Sequence, residues 1–172
     1  NQTLRSIAKT RTNIFIGLSG GETIIESLPF QLDSDIMLKC TFLLIDERIV
    51  QWHSINCNRR KLELKDANLR VIGPISEHGN LNVLEHQLFL ERVTNTSLNK
   101  LVLDVLILGF GNDGHIASIF ENIDHERMLY YTTYKKDNSK RMTFSMKLLQ
   151  KSRNIFLISN SKEKTELLKN LG

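Results

Sequence analysis

Short apolar runs, each ended by glycine or polar residues, alternate along this chain with segments of helical periodicity. The runs at 13–18 (NIFIGL) and 41–45 (TFLLI) are apolar at almost every position, the pattern of strands covered on two faces. A shorter strand is expected at 69–72, stopped by Gly73-Pro74, and further strands at 105–108 (VLIL) and 154–159 (NIFLIS). Residues 129–134 read as one more strand, and 143–150 favours neither state. Between the strands, helices are expected at 22–28, closed by Pro29, and at 57–65. Others are expected at 81–93, with apolar positions 81, 84, 88 and 89 on one face, at 115–120 and at 162–171. Strand and helix in alternation predict an α/β fold: a doubly wound, mostly parallel, Rossmann-like sheet with helices on both faces.

Ligands of such sheets bind beyond the C-terminal ends of the strands. The residues found there are Ser19-Gly20-Gly21-Glu22-Thr23, Asp46-Glu47-Arg48, Asn112-Asp113-Gly114-His115 and Ser159-Asn160-Ser161-Lys162-Glu163-Lys164. The third loop belongs to the most informative stretch, DVLILGFGNDGHIASIFEN at 104–122. There an apolar strand runs into Gly109, Gly111 and Gly114 and then into an expected helix that opens on His115. Glycine turn, exposed amides and helix dipole together make an anion site, and the imidazole adds a titratable group beside it. The spacing G-x-G-x-x-G also occurs in dinucleotide-binding folds. That reading wants an acidic residue about 20 positions on. Asp137 stands near that distance behind two lysines, and the motif lies past mid-chain instead of opening the first βαβ unit.

Composition narrows the partner. The 172 residues suit one domain, and 23 basic against 19 acidic residues give a net charge of +4. That is enough to favour a small anionic ligand and too diffuse to argue nucleic acid. The clusters Arg59-Arg60-Lys61 and Lys135-Lys136 read as solvated faces. Cys40 and Cys57 form neither a C-x-x-C nor a metal pattern, so a reduced, cytoplasmic setting is expected, with no metal. No apolar run has the length of a membrane span and no leader is visible. The chain starts without Met and stops just after an expected helix, so the expectation is a single domain, 1–172, trimmed at both ends.

Three motifs carry a family resemblance. GLSGGET at 17–23, DERIV at 46–50 and LGFGNDGHIASIF at 108–120 resemble, in order and approximate spacing, the 6-phosphogluconolactonases. Asn58, KRMTFS at 140–145 and Lys164 match more weakly. The related amino-sugar-phosphate deaminases share D-G-H-I-A but continue differently, and Ala117-Ser118-Ile119-Phe120 looks like the lactonase branch. The resemblance implies a Rossmann-like sugar-phosphate hydrolase domain without nucleotide, metal or organic cofactor. Its substrate would be 6-phosphoglucono-δ-lactone, hydrolysed to 6-phosphogluconate in the oxidative pentose phosphate pathway.

Lactone hydrolysis needs a base for the attacking water, and His115 is the candidate, kept neutral by a helix N-terminus and oriented by Asp113. Phosphate would rest on the amides of Ser19, Gly20 and Gly21, with Asn112 and Gly114 lining the site. Arg48 offers a planar grip on phosphate or carboxylate, and an ion pair with Asp46 or Glu47 is compatible with that role. Arg141 is a second phosphate ligand by resemblance, Lys164 a weaker one, and Asp46 would hold a sugar hydroxyl or support Arg48. The chain departs from the family pattern at Glu22, Ile24, Gln51, Cys57 and Glu121. Glu22 is the departure of most consequence, since a carboxylate beside a phosphate nest is unfavourable unless it turns away or meets a cation. Two alternatives stay open: a deaminase or isomerase of amino-sugar phosphates using Asp46 as proton shuttle, and a non-catalytic sugar-phosphate sensor. The chain shows no helix-turn-helix that would suit a sensor to a DNA-binding regulator.

Overall fold

The computed structural model describes residues 2–74, 82–111, 113–120, 126–134, 136–162 and 165–166. In chain order the elements are α1 (Gln2–Ala8), β1 (Ile14–Leu18), α2 (Glu22–Glu26), α3 (Ser34–Met37), β2 (Cys40–Leu44), β3 (Asp46–Arg48) and α4 (Asn58–Lys65). They continue with β4 (Val71–Ile72), α5 (Val83–Thr94), β5 (Val105–Leu108), β6 (Leu129–Tyr134), β7 (Ser139–Phe144), α6 (Met146–Leu149) and β8 (Ile155–Leu157). The strands form a parallel sheet in the order β4-β2-β1-β5-β8 and a three-stranded antiparallel sheet in the order β3-β7-β6.

The apolar runs become central strands because both faces of the parallel sheet are covered. Ile14, Ile16 and Leu18 of β1, Phe42 and Leu44 of β2 and Val105 of β5 face one core with Leu4 of α1, Ile24 of α2, Ile36 of α3 and Leu62 of α4. The alternate residues Leu43 and Leu106 face a second core with Val83 and Leu90 of α5 and Leu148 and Leu149 of α6. The antiparallel sheet covers this second face too, through Leu129, Met142 and Phe144. At the end of the sheet remote from Leu18 and Leu108, Asp104 is wholly buried just before β5. Its carboxylate accepts from the Phe15 N–H at 3.0 Å and meets Arg11 at 2.9 Å and Arg153 at 3.4 Å.

Local signals set several boundaries. Asn82 caps α5 by accepting from the N–H groups of Leu84 and Glu85, and Asn95 closes that helix in the left-handed region at φ 50°. The expected start of this helix at Leu81 lies outside the described residues.

One expectation fails. Residues 115–120 form no helix. Phe110 bridges Ile116, Ile116 bridges Ile119, and Ala117 takes φ 50°, so the segment folds back on itself. The stretch at 143–150, which the sequence left unassigned, divides between the end of β7 and α6, with Ser145 capping the helix by accepting from Leu148 N–H. The expected helix at 162–171 lies largely outside the described residues; within them the Thr165 N–H and hydroxyl both donate to the Ser161 carbonyl.

Candidate active site

The two sheets meet where β2 runs directly into β3. The Phe144 N–H of β7 donates to the Ile45 carbonyl at 2.8 Å, and the Ile45 N–H donates to the Leu18 carbonyl of β1 at 3.0 Å. This seam lies at the C-terminal ends of β1, β2 and β5. It opens into a cleft of about 320 Å³ lined by the β1 and β5 loops, β3, β7, the start of α4 and the end of β6. Ser19, Gly21, Asp46, Arg48, His115 and Arg141 all line it, so the structure gathers six of the expected residues in one place.

His115 is placed by its own glycine loop. The Gly111 N–H donates to the His115 carbonyl at 2.8 Å and the Gly114 N–H to the Gly111 carbonyl at 3.0 Å, with Gly114 at φ 84°. A Cβ on Gly111 would stand 2.4 Å from His115 Cε1, so only glycine admits the ring. Gly109 has no such need, since a Cβ there would meet only ordinary contacts from 3.5 Å outward. His115 Nδ1 lies 2.5 Å from Asp113 Oδ1, and this hydrogen bond holds the Asp113 carboxyl below the usual carboxylate range. The ring packs edge-on to Phe120 at 4.9 Å and against Tyr134 at 5.8 Å. Because residues 115–120 are not helical, no helix dipole acts on the imidazole. Its orientation comes from Asp113 and the two aromatic rings.

Arg48 and Arg141 are register partners across the antiparallel pair β3–β7, so two cations face one another directly. Like charges opposed in this way are unfavourable. Burial lowers the Arg141 pKa first, and Arg48 lowers it further. Arg48 Nη1 donates to the Asn56 carbonyl at 3.0 Å and to Asn58 Oδ1 at 2.9 Å. The expected ion pair with Asp46 or Glu47 does not form. Arg141 is nearly buried rather than solvated. Its guanidinium lies 4.8 Å from the Tyr134 ring and 5.5 Å from Phe120, and Nε donates to Ser139 Oγ at 3.1 Å.

Asp46 is buried, which pushes its pKa up, while bonds from Ser118 Oγ at 2.8 Å and the Gly20 N–H at 3.2 Å pull it down. It closes the expected nest, because the Gly20 amide is committed to it, and it acts on Arg48 and Arg141 through charge and not through a direct ion pair. Ser19 is likewise committed, its Oγ accepting from the Gly109 N–H at 2.9 Å. The backbone groups left at this turn are those beginning α2, since no oxygen of the described residues takes the N–H of Gly21, Glu22 or Thr23. Glu22 meets Lys61 at 2.6 Å, which balances the carboxylate that the sequence placed beside the nest.

Asn112 and Lys164 lie outside the described residues. The basic cluster 59–61 is paired: Arg59 with Glu63, Arg60 with the His53 carbonyl and Lys61 with Glu22. Sequence reasoning missed Tyr134, Ser118 and Glu47, and took Asn58 only as a weak match. Asp137 sits in the β6–β7 turn, where it accepts from the Ser139 N–H at 2.9 Å and meets Arg141 at 3.6 Å. Among the described residues no group of three or more His, Cys, Asp or Glu side chains could hold a metal ion. No helix there is long and apolar enough to cross a membrane.

Comparison with known proteins places this geometry. A family model described as glucosamine-6-phosphate isomerases/6-phosphogluconolactonase matches residues 1–172. A probable 6-phosphogluconolactonase of Dictyostelium discoideum is 32% identical over 169 residues, covering 87% of this chain and 70% of that protein. A bifunctional glucose-6-phosphate 1-dehydrogenase/6-phosphogluconolactonase of Plasmodium falciparum is 26% identical over 211 residues, and this chain spans only 22% of its length. The crystal structure of 6-phosphogluconolactonase from Thermotoga maritima superposes with a TM-score of 0.76 at 22% identity, covering 99% of this chain and 80% of that one. The superposition shows a shared fold.

Proposed function

We propose a lactonase reaction for this chain, which belongs to the glucosamine-6-phosphate isomerase/6-phosphogluconolactonase family. The reaction is hydrolysis of 6-phosphoglucono-δ-lactone to 6-phosphogluconate, a cytoplasmic step of the oxidative pentose phosphate pathway. The observation that carries the reading is the opposed pair Arg48 and Arg141 lining the same cleft as His115. A dianionic phosphate between the guanidinium groups relieves their repulsion and anchors one end of the substrate. The N–H groups at the start of α2 add neutral donors to the same anion.

His115 then acts at the other end. Asp113 on Nδ1 fixes the tautomer that leaves Nε2 to accept a proton. Water attacks the lactone carbonyl as Nε2 takes its proton. The tetrahedral oxyanion collapses, the ring C–O bond breaks, and the imidazolium returns the proton to the departing alkoxide. Atoms and charge balance without a metal or organic cofactor. Asp46 serves here as a strut between Gly20 and Ser118, and its occupied oxygens disfavour the proton-shuttle role that a deaminase requires.

The test is hydrolysis of freshly generated lactone, coupled to 6-phosphogluconate dehydrogenase and compared with the uncatalysed rate. His115→Ala is expected to lose roughly a thousandfold in rate, the scale of a general base. Acceleration that survives in the variant would keep the activity and reject the base. Ammonia released from glucosamine-6-phosphate would move the chain to the deaminase branch. A thermal shift with 6-phosphogluconate but no turnover would favour a sensor.

A further inference from the structure

We propose that Glu47, which the reaction itself does not use, is a positioning residue that sets the direction of the Arg48 guanidinium by clamping the start of α4 to β3. The inference rests on the lactonase reading only for the identity of the ligand. Glu47 is almost fully buried, and its carboxylate gathers donors from two segments of chain. Oε1 accepts from the Arg48 N–H at 2.7 Å and the Asn58 N–H at 2.9 Å, and Oε2 accepts from the Arg59 N–H at 2.8 Å and, more weakly, from Cys57 Sγ at 3.5 Å. The N-cap residue Cys57 makes no side-chain cap of its own, so a carboxylate from another element does the capping.

What is clamped is the support of Arg48. Asn58, the first residue of α4, accepts from Arg48 Nη1, and the carbonyl of Asn56 just before it accepts from the same nitrogen. Asn58 is also wedged against the Gly20 turn, where an added Cβ would fall 2.4 Å from its own Cβ. A chain of contacts therefore runs from the Glu47 carboxylate through the backbone of 58–59 and the Asn58 side chain to the guanidinium in the cleft. The charged and titratable groups around Glu47 are Asp46 and Arg48 on β3 and Cys57 and Arg59 at the start of α4.

Charge and positioning predict opposite signs. Glu47 is an anion beside an anion site, so by charge alone Glu47→Gln would tighten phosphate binding. A Gln there keeps the shape but turns an NH2 group towards backbone N–H groups, so the clamp opens and Arg48 loses its support. Titration calorimetry at pH 8 with 6-phosphogluconate and, separately, with inorganic phosphate reads the difference. Glu47→Gln is expected to bind both about tenfold more weakly, raising KM far more than it lowers kcat. In an Arg48→Ala background it is expected to add no further loss.

Unchanged or tighter binding in Glu47→Gln would overturn the proposal, as would losses that add in the double variant. If Glu47→Gln does not fold, Asn58→Ala tests the relay with the carboxylate in place. Weaker binding there supports it and unchanged binding overturns it. A wild type that binds inorganic phosphate but neither binds 6-phosphogluconate nor turns over lactone would overturn the lactonase reading alone, since the same variant cycle then reads the relay with phosphate. A wild type that binds neither ligand would overturn both.

Discussion

The two sheets of this protein solve different problems with different residues. The parallel sheet is a scaffold: Ile14, Ile16, Leu18, Leu43 and Leu106 are fully buried and its charged residue Asp104 faces away from the cleft end. The antiparallel sheet has only three strands, yet it carries Asp46, Glu47, Arg48, Arg141 and Tyr134. Burying charge is costly unless each group meets a partner. The small sheet meets this demand for its carboxylates, surrounding Asp46 and Glu47 with N–H or O–H donors, but leaves two cations opposed across β3–β7. Buried apolar side chains concentrate in one sheet and the proposed recognition in the other, with His115 reaching the seam from a loop of the scaffold.

The comparison breaks most visibly at Asp104. Asp104→Ala removes the buried carboxylate that pairs the part-buried Phe15 N–H, Arg11 and Arg153, and is expected to cost about 2–3 kcal/mol of stability. Urea unfolding gives the loss, and activity per folded molecule should stay at the wild-type level if the division of labour is real. The converse substitution is Arg141→Lys. A lysine keeps the charge but cannot stack its plane on Tyr134 and Phe120, so affinity for 6-phosphogluconate should fall about tenfold. The urea midpoint should move little, and a large drop would mean that this arginine belongs to the scaffold.

A third effect concerns pH. Burial pushes the Glu47 carboxyl up to about 7 from an ordinary 4.5. Between those values the folded protein holds a proton that the unfolded chain has released. This group's contribution to stability therefore falls as pH rises from about 4.5 to about 7, and levels off above. Unfolding free energies at pH 5 and pH 8 should differ by about 2–3 kcal/mol more in the wild type than in Glu47→Gln. An equal difference in both would place the titration elsewhere.

Much of this was legible in advance because it is local. The central strands announced themselves as apolar runs, and the three motifs marked the loops that form the cleft. What stayed hidden depends on contacts distant in sequence. β3 pairs with β7 some 95 residues on, so the run Asp46-Glu47-Arg48 looked like a polar loop rather than a strand. Ser118 reaches Asp46 across 72 positions, and nothing about a lone serine signals that. Residues 115–120 misled for another reason. HIASIF has the composition of a short helix, but the positive φ of Ala117 and the two bridges of Ile116 settle it otherwise. The expectation of a dipole acting on His115 fell with that helix, whereas the nearby Asp113 was readable from spacing and does orient the ring.

The fit of His115 into its loop has a consequence for how this sequence can change over time. The ring occupies the space that any side chain at Gly111 would need. Two substitutions are thereby ordered: Gly111→Ala is harmful while the imidazole is present and becomes tolerable only after it is gone and the Asp113 carboxylate, 2.6 Å from the added Cβ, has turned aside. A lineage that exchanges His115 for a smaller residue can then fill position 111, and once it has, restoring the histidine alone no longer restores the site. The glycine thus acts as a ratchet, and residue 111 in a descendant records whether the lactonase chemistry proposed here has been given up for good.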